Sequence, residues 1–501
     1  MNRRGFLTAG AALASQSCVG RRLGASPPSV SANATDLQPS IAPARSLADA
    51  SGWRLEGDAS TAAAVELAAK TYAVNRRRDL LSQFNATGFR MTVSRGFPIA
   101  MGIVPDLTFA MLGCRYLADR AYLDTLAGHA DLLPRNMRRN GKFFINEDLV
   151  AGCDRVMSQV MYPLWIWELF RATGDRAFLD RHVEPIRRCL EYIESRTDAH
   201  GVVNQVDHED WQISEGADWV DWCPERMEGS TCVYHTWYAY CLASCVHLFQ
   251  RVGDAETADK MASRAARQRQ VLAETFWAGA QYDDNVNYLE RRVTNFWCDS
   301  QIWPIAFGLA SQEQAQQIFA RLDAEPELYL GCGLRWCAPV PGDQIFRPLT
   351  WFGRLGAGLV LARCLRKQPE EAWQTVTQFT QAVITAGTFP ECFDMHGKPQ
   401  EGTGGAGDYL EHAAGLLYCL GRGVMGLDDE GGDVITWRPQ LAQSITTLKT
   451  PFWREGRCWR FMYEEGRFAI DPQGGHGEVQ VVLDDKQVRV SLAGERVTIV
   501  I

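Results

Sequence analysis

Two segments of the 501-residue chain set acids beside aromatic rings. The first contains Glu215-Gly216-Ala217-Asp218-Trp219-Val220-Asp221-Trp222 and runs on to Ser230-Thr231. Indole faces cover the apolar C–H face of a pyranose, while carboxylates bind its hydroxyls or transfer protons. Asp218, Trp219, Asp221 and Trp222 are therefore candidate site residues. The bland alternative for two acids three apart before a helix is capping. The second segment, Thr388-Phe389-Pro390-Glu391-Cys392-Phe393-Asp394, holds Glu391 between apolar neighbours. Desolvation there raises a carboxyl pKa and makes a proton carrier; a solvated turn carboxylate is the alternative. In the following Asp408-Tyr409-Leu410-Glu411-His412, His412 reads first as a hydrogen-bonded helix residue and second as a substrate contact.

These segments need a scaffold, and the sequence describes one built of helical hairpins. Leu179, Val183, Ile186, Leu190 and Ile193 recur at steps of four and three, one apolar stripe on a surface helix. Before it, 156–170 is apolar nearly all round, as a helix buried on every side would be. The same alternation of buried and surface helix returns at 236–252 with 255–276, and at 295–309 with 313–322. Between them stand Gly174-Asp175 and Gly253-Asp254, a glycine to end one helix and an aspartate to cap the next. Long segments rich in Trp, Asp, Glu and Gly interrupt the hairpins, which favours a closed (α/α)6 toroid over a regular solenoid. Six hairpins of about 60 residues fill 51–430, close to the usual helix lengths. After Gly431 the period changes to two, predicting strands over 457–463, 467–470, 478–483, 488–492 and 497–501 in a small C-terminal β-sheet domain, 431–501.

Net charge -9 and a pI near 5.6 leave no basic surplus for a phosphate backbone, so nucleic acid is excluded as a partner. Residues 1–25 look like a twin-arginine export signal: Arg3 and Arg4 precede an apolar stretch, Leu7 to Ala14, far short of the about 20 residues that span a bilayer. Residues 26–50 form a Ser, Ala and Pro-rich linker, and the chain is expected in the periplasm or secreted. Ser15-Gln16-Ser17 before Cys18 is a poor signal for a lipid anchor. The 15 cysteines lack metal or disulfide-scaffold spacing and read as buried apolar side chains. The acidic run Asp428-Asp429-Glu430-Gly431-Gly432-Asp433 reads as a turn rather than a calcium loop. No nucleotide, phosphate or zinc motif is present, so neither a cofactor nor a metal is implied.

The run from Asp218 through Gly253, the segment from Asn295 to Ala315 around Trp297 and Asp299-Ser300-Gln301, and the Pro390-Glu391 segment resemble the six-hairpin glycosidase superfamily. Within it the nearest likeness is to bacterial α-L-rhamnosidases and glycogen-debranching-type glucosidases. The resemblance implies a hydrolase acting on a carbohydrate or glycoconjugate by inversion. It maps the general acid onto Asp221, the base onto Glu391 and a substrate contact onto Asp218; Trp219, Trp222, Trp297 and His412 stand beside these as further candidate substrate contacts. The rhamnosidase Asp-Glu-Arg-x-Gly motif is missing from 88–106, where only Asp106 offers a match. Competing readings are a lyase on the same toroid, using Tyr409 with His412, and a non-catalytic sugar-binding protein. Replacing Arg3 and Arg4 by lysine tests the export signal: the precursor should stay in the cytoplasm on cell fractionation, and unchanged export overturns the reading.

Overall fold

The apolar periodicities close into twelve α-helices among the described residues. The computed structural model describes residues 51–77, 90–92, 105–143, 156–204, 230–286, 292–325, 328–330, 332–338, 350–394, 396–399, 407–429, 434–483 and 486–499. All lie within one compact unit, Ser46–Ile501. In chain order the helices are α1 (Ala59–Asn75), α2 (Pro105–Gly113), α3 (Ala121–Ala130), α4 (Val156–Thr173), α5 (Arg176–Ser195) and α6 (Cys232–Val252). They continue with α7 (Ala255–Val271), α8 (Cys298–Ala306), α9 (Gln312–Ala324), α10 (Ala357–Leu365), α11 (Pro369–Ala386) and α12 (Leu410–Tyr418). Odd-numbered helices keep a stripe of exposed or half-buried residues, and even-numbered ones are buried nearly all round. None is long and apolar enough to cross a membrane.

The even helices pack in the order α2, α4, α6, α8, α10, α12, and α12 returns to pack on α2. Outside them α11 packs on α1, so both rings close into the (α/α)6 toroid expected from the sequence. Apolar residues on every face of the inner helices are satisfied because the ring axis is filled. Phe109 of α2 meets Trp237 of α6 and Trp303 of α8 at centroid separations of 6.3 and 5.9 Å, and the two indoles lie 4.8 Å apart. Such pairs each contribute about 0.5–1.5 kcal/mol beyond the area they bury. The caps also appear where the Gly-Asp pairs stand: Asp175 accepts from Phe178 N and Asp254 from Thr257 N, after Gly174 and Gly253 with φ of 67° and 82°.

Inner helices pass to outer ones through short turns, such as 174–175 and 253–254. Outer helices pass to inner ones through long segments: 76–104, 131–155, 196–231, 272–297, 325–351 and 387–409. The described ends of these long segments therefore lie at the N-terminal ends of the inner helices, which defines one mouth, and the short turns lie at the other end.

A pair of sheets covers that other end. Strands β1 (Arg54–Glu56), β4 (Thr447–Arg454), β5 (Arg457–Glu464), β6 (Arg467–Asp471) and β9 (Val497–Ile499) form an antiparallel sheet in that order. Strands β2 (Leu427–Asp428), β3 (Val434–Trp437), β7 (His476–Leu483) and β8 (Lys486–Ala493) form a second sheet, with β3 and β7 parallel. The period-two stretches are all strands, but β1 and β4 are not legible as such. β4 is buried on both faces, so it does not alternate, and it contains Pro451. The proline is tolerated because pairing with β1 stops at Lys449, beyond which no ladder partner is lost.

The join rests on buried charge. Arg115, just after α2, donates to Glu168 of α4 at 3.0 Å, to Asp429 at 2.7 Å and to the carbonyl of Trp453 in β4 at 3.0 Å. Arg171 of α4 pairs with both Glu168 and Asp429. Two cations face two anions, and all four side chains are at most 7% exposed. Burial pushes the Asp429 carboxyl up, but Arg115 and Arg171 outweigh it and hold it well below the usual carboxylate range. A depressed carboxyl stabilises the fold above its unfolded pKa, and that contribution is lost as pH falls, progressively below about pH 5. Asp429→Asn leaves two buried guanidinium groups to share the single charge of Glu168 and should cost about 3–5 kcal/mol in urea unfolding. The variant should also lose part of the acid sensitivity of the native protein.

Candidate active site

The mouth is held together loop to loop. Ser230 Oγ donates to Val203 O at 2.7 Å, closing the base of the loop that precedes α6. Cys232 N donates to Asp284 O at 2.9 Å, and Cys298 N to Trp336 O at 2.7 Å. Thr350 and Phe393 exchange backbone hydrogen bonds of 3.0 and 3.3 Å, Tyr409 N donates to Phe389 O at 2.8 Å, and Asn75 Nδ2 reaches Asp408 O at 2.7 Å. This belt runs from the third hairpin round to the first.

Several candidates sit on it. Glu391 is half-buried in the 388–394 turn, beside Phe389, Cys392 and Phe393, which are almost wholly buried. Trp297 is buried directly before α8, paired with Cys337 in a short antiparallel ladder. His412 is fully buried in the first turn of α12, ringed by Tyr409, Trp351 and Phe379 at centroid distances of 5.3, 5.9 and 5.9 Å. Asp106 is the second residue of α2, at the same rim. Asp218, Trp219, Asp221 and Trp222 lie outside the described residues, in the sequence between the belt positions Val203 and Ser230. The helix that follows them, α6, and the helix that follows Glu391, α12, are third and sixth in a ring of six inner helices, so the two loops are rooted on opposite sides.

Other rim residues escaped the sequence reading. Trp336 and Trp351 stand 6.2 Å apart and continue the aromatic wall to His412. They flank a stretch holding Pro339, Pro341 and Pro348, which has no period to place them; the usable signal was tryptophan clustering before a buried helix. Arg354 and Glu411 form a buried ion pair at 3.1 Å. Two further carboxylates, Asp284 and Asp299, are fully buried below the rim and take up Ser300, from its hydroxyl at 2.6 Å and its backbone N–H at 2.9 Å respectively. Gln301 clips the neighbouring loop, bonding Tyr282 N and Tyr282 O at 2.8 Å each.

The base of the loop before α6 has a second clamp. His235 Nε2 lies 2.8 Å from Ser230 Oγ, and its Nδ1 lies 2.5 Å from Gln268 Oε1 of α7, while Gln268 Nε2 donates to Gly201 O at 2.9 Å. Burial pulls the His235 imidazole down to about 4, against a smaller opposite effect of Gln268, so it is neutral near pH 7. A neutral ring donates from Nδ1 to Gln268 and accepts from the Ser230 hydroxyl. The serine proton is shared with Val203 O and the ring is enclosed, so the trio is a clamp rather than a nucleophile.

Among the described residues, no group of three or more His, Cys, Asp or Glu is arranged to hold a metal ion. The eleven cysteines whose side chains are described are all free, and ten of them are buried. Burial raises the thiols of Cys189 and Cys241, which leaves them protonated and unreactive.

Residues 156–327 match the family model described as the bacterial alpha-L-rhamnosidase 6 hairpin glycosidase domain. A 3-O-beta-D-glucopyranosyl-beta-D-glucuronide phosphorylase of Paenibacillus borealis is 21% identical over 236 residues, which is 42% of this chain and 28% of the relative. Among solved structures, a rhamnosidase of Bacillus sp. GL1 superposes with a TM-score of 0.59 at 14% identity, covering 86% of this chain and 42% of that one. A sialidase superposes with a TM-score of 0.62 at 12% identity, covering 82% and 38%. The fold is that of the six-hairpin glycosidases, as the sequence resemblance implied, and the chain spans less than half the length of these relatives.

The clamp has a pH signature. His235 binds its proton more readily unfolded than folded, so its contribution is complete above about pH 6.5 and is lost as pH falls towards 4. A shift from 6.5 to about 4 corresponds to roughly 3 kcal/mol. Thermal melts across that window should show the native protein losing stability, and His235→Asn should remove most of this slope while lowering stability at pH 7.

Proposed function

We propose that the chain is a glycoside hydrolase that cleaves a carbohydrate or glycoconjugate with inversion, with Glu391 as general base and Asp221 as general acid. Glu391 carries the reading: it is a half-buried carboxyl fixed on the rim of a closed six-hairpin ring, across from the root of the loop that bears Asp221. Inversion requires a water between the base and the sugar, and so carboxyls about 6.5–9.5 Å apart, against about 5–5.5 Å for a covalent route. Roots on opposite sides of the ring favour the wider spacing. Glu391 takes a proton from the water as its oxygen attacks the anomeric carbon, while Asp221 gives a proton to the departing glycosidic oxygen. Trp219 and Trp222 flank Asp221 in sequence and supply apolar surroundings that keep an acid protonated near neutrality. Asp218 and Asp106 complete the sugar site, with Trp297 and His412, buried behind the rim, backing its wall rather than facing the sugar. Export through the twin-arginine signal, and a division of the chain at about residue 430, belong to the same reading.

The phosphorylase relative favours a second reading, in which inorganic phosphate replaces water as nucleophile. A carboxylate at Glu391 opposes an anionic nucleophile, whereas it assists a neutral one, so hydrolysis is preferred.

The test begins with a panel of aryl glycosides and plant and bacterial polysaccharides, with and without phosphate. A free reducing sugar whose first-formed anomer is inverted, seen by proton NMR, is the expected product. A sugar 1-phosphate establishes phosphorolysis, an unsaturated uronate a lyase, and no product on any substrate a binder. On the substrate found, Glu391→Gln and Asp221→Asn should each lower kcat by about 10²–10⁴-fold with the melting temperature kept. Near-full turnover in both variants overturns the assignment.

A further inference from the structure

We infer that Glu411 is a positioning residue that sets Glu391 from beneath, through Trp351 and Tyr409. The inference rests on the reading of Glu391 as the base. Glu411 is fully buried in the first turn of α12. A buried carboxylate is expensive unless its oxygens are well bonded. Here Oε1 accepts from Trp351 Nε1 at 3.1 Å and from Arg354 Nε at 3.1 Å, while Oε2 accepts from Arg354 Nε at 3.3 Å and from the Tyr409 hydroxyl at 3.4 Å.

The donors matter because of what their backbones hold. Tyr409 N donates to the carbonyl of Phe389, two residues before Glu391. Thr350, next to Trp351, exchanges two hydrogen bonds with Phe393, two residues after Glu391. One carboxylate thus anchors Tyr409, which grips the Glu391 turn on one side, and Trp351, whose neighbour Thr350 grips it on the other. The Glu411 side chain lies directly against the backbone of Gly353. A Cβ on Gly353 would lie 2.6 Å from Glu411 Cγ and 2.7 Å from Oε1, so only glycine admits the side chain there. Gly353 and Arg354 belong to a π-helical turn, Phe352–Gly356, leading into α10. Such turns re-aim side chains at a helix end. If the ion pair only served stability, an apolar pair of similar volume would do as well; its value lies in fixing two donors at the rim.

The experiment compares Trp351→Phe and Tyr409→Phe, each of which removes one donor and keeps the ion pair, with Glu411→Gln and Glu391→Gln. Kinetics are measured on the substrate found by the panel, with melting temperature and amide hydrogen exchange of residues 389–394 measured alongside. Misplacing a reacting group by up to an ångström costs about 10–100-fold, so each donor variant should lower kcat by about tenfold and Glu411→Gln by more, with KM within about threefold. The Phe393 amide should exchange faster in all three. In a Glu391→Gln background the donor variants should add no further loss, because the effect passes through that side chain. Losses that multiply in that background, or unchanged exchange at Phe393 in every variant, overturn the inference. Full activity in Glu391→Gln removes the base assignment instead, and the exchange data still decide whether Glu411 sets the turn. Should Glu411→Gln fail to fold, the two donor variants carry the test.

Discussion

Burial of the six inner helices on every side is the constraint from which the rest of the structure follows. An inner helix whose whole surface is apolar has no face to offer water, so it needs neighbours left and right, an outer helix behind and a filled axis in front. Phe109, Trp237 and Trp303 supply that filling from three different helices. Polar groups at the helix ends are then the only ones left to arrange, and the two ends of the ring do so differently.

At the closed end the charges cancel in place. Arg115, Arg171, Glu168 and Asp429 neutralise one another and bind the sheet through Trp453. At the mouth the polar groups are carried on long loops, and from the third hairpin round to the first these loops are tied together largely through backbone hydrogen bonds. That arrangement fixes backbone at the rim while leaving side-chain identity free to vary. Glu411 sits where the two modes meet: it is paired as at the closed end, but its remaining bonds go to rim residues.

How much of this was legible follows from the same physics. The toroid could be read because buried and amphipathic helices differ in pattern, and because Gly174-Asp175 and Gly253-Asp254 announce two of the turns. The period-two strands could be read for the same reason. Strand β4 could not, since burial on both faces removes the alternation, and β1 is only three residues long with its partner almost four hundred residues away. Glu391 was legible through its apolar neighbours, which the fold keeps in contact with it. Arg354 and Glu411 were not, because a buried ion pair is made by tertiary packing and neither residue has a local signal. Trp336 and Trp351 sit beside aperiodic proline-rich chain and were passed over for that reason.

The difference between a ring specified by helix pattern and a rim specified by loops explains why relatives so diverged share this fold. At 12–14% identity the ring superposes on a rhamnosidase and on a sialidase alike. Closure asks only for apolar residues of suitable volume at inner positions, and many sequences meet that demand. Chemistry asks for particular groups at particular loop positions, and a fold-level likeness says nothing about those. Absence of the rhamnosidase Asp-Glu-Arg-x-Gly motif between 88 and 106 is the case in point. The carboxyl that motif provides lies on the loop before the first inner helix, whereas Asp221 lies on the loop before the third. On the assignment proposed above, the proton donor sits two hairpins further round and approaches the glycosidic oxygen from a different side of the ring. Specificity for rhamnose therefore does not follow from the shared fold.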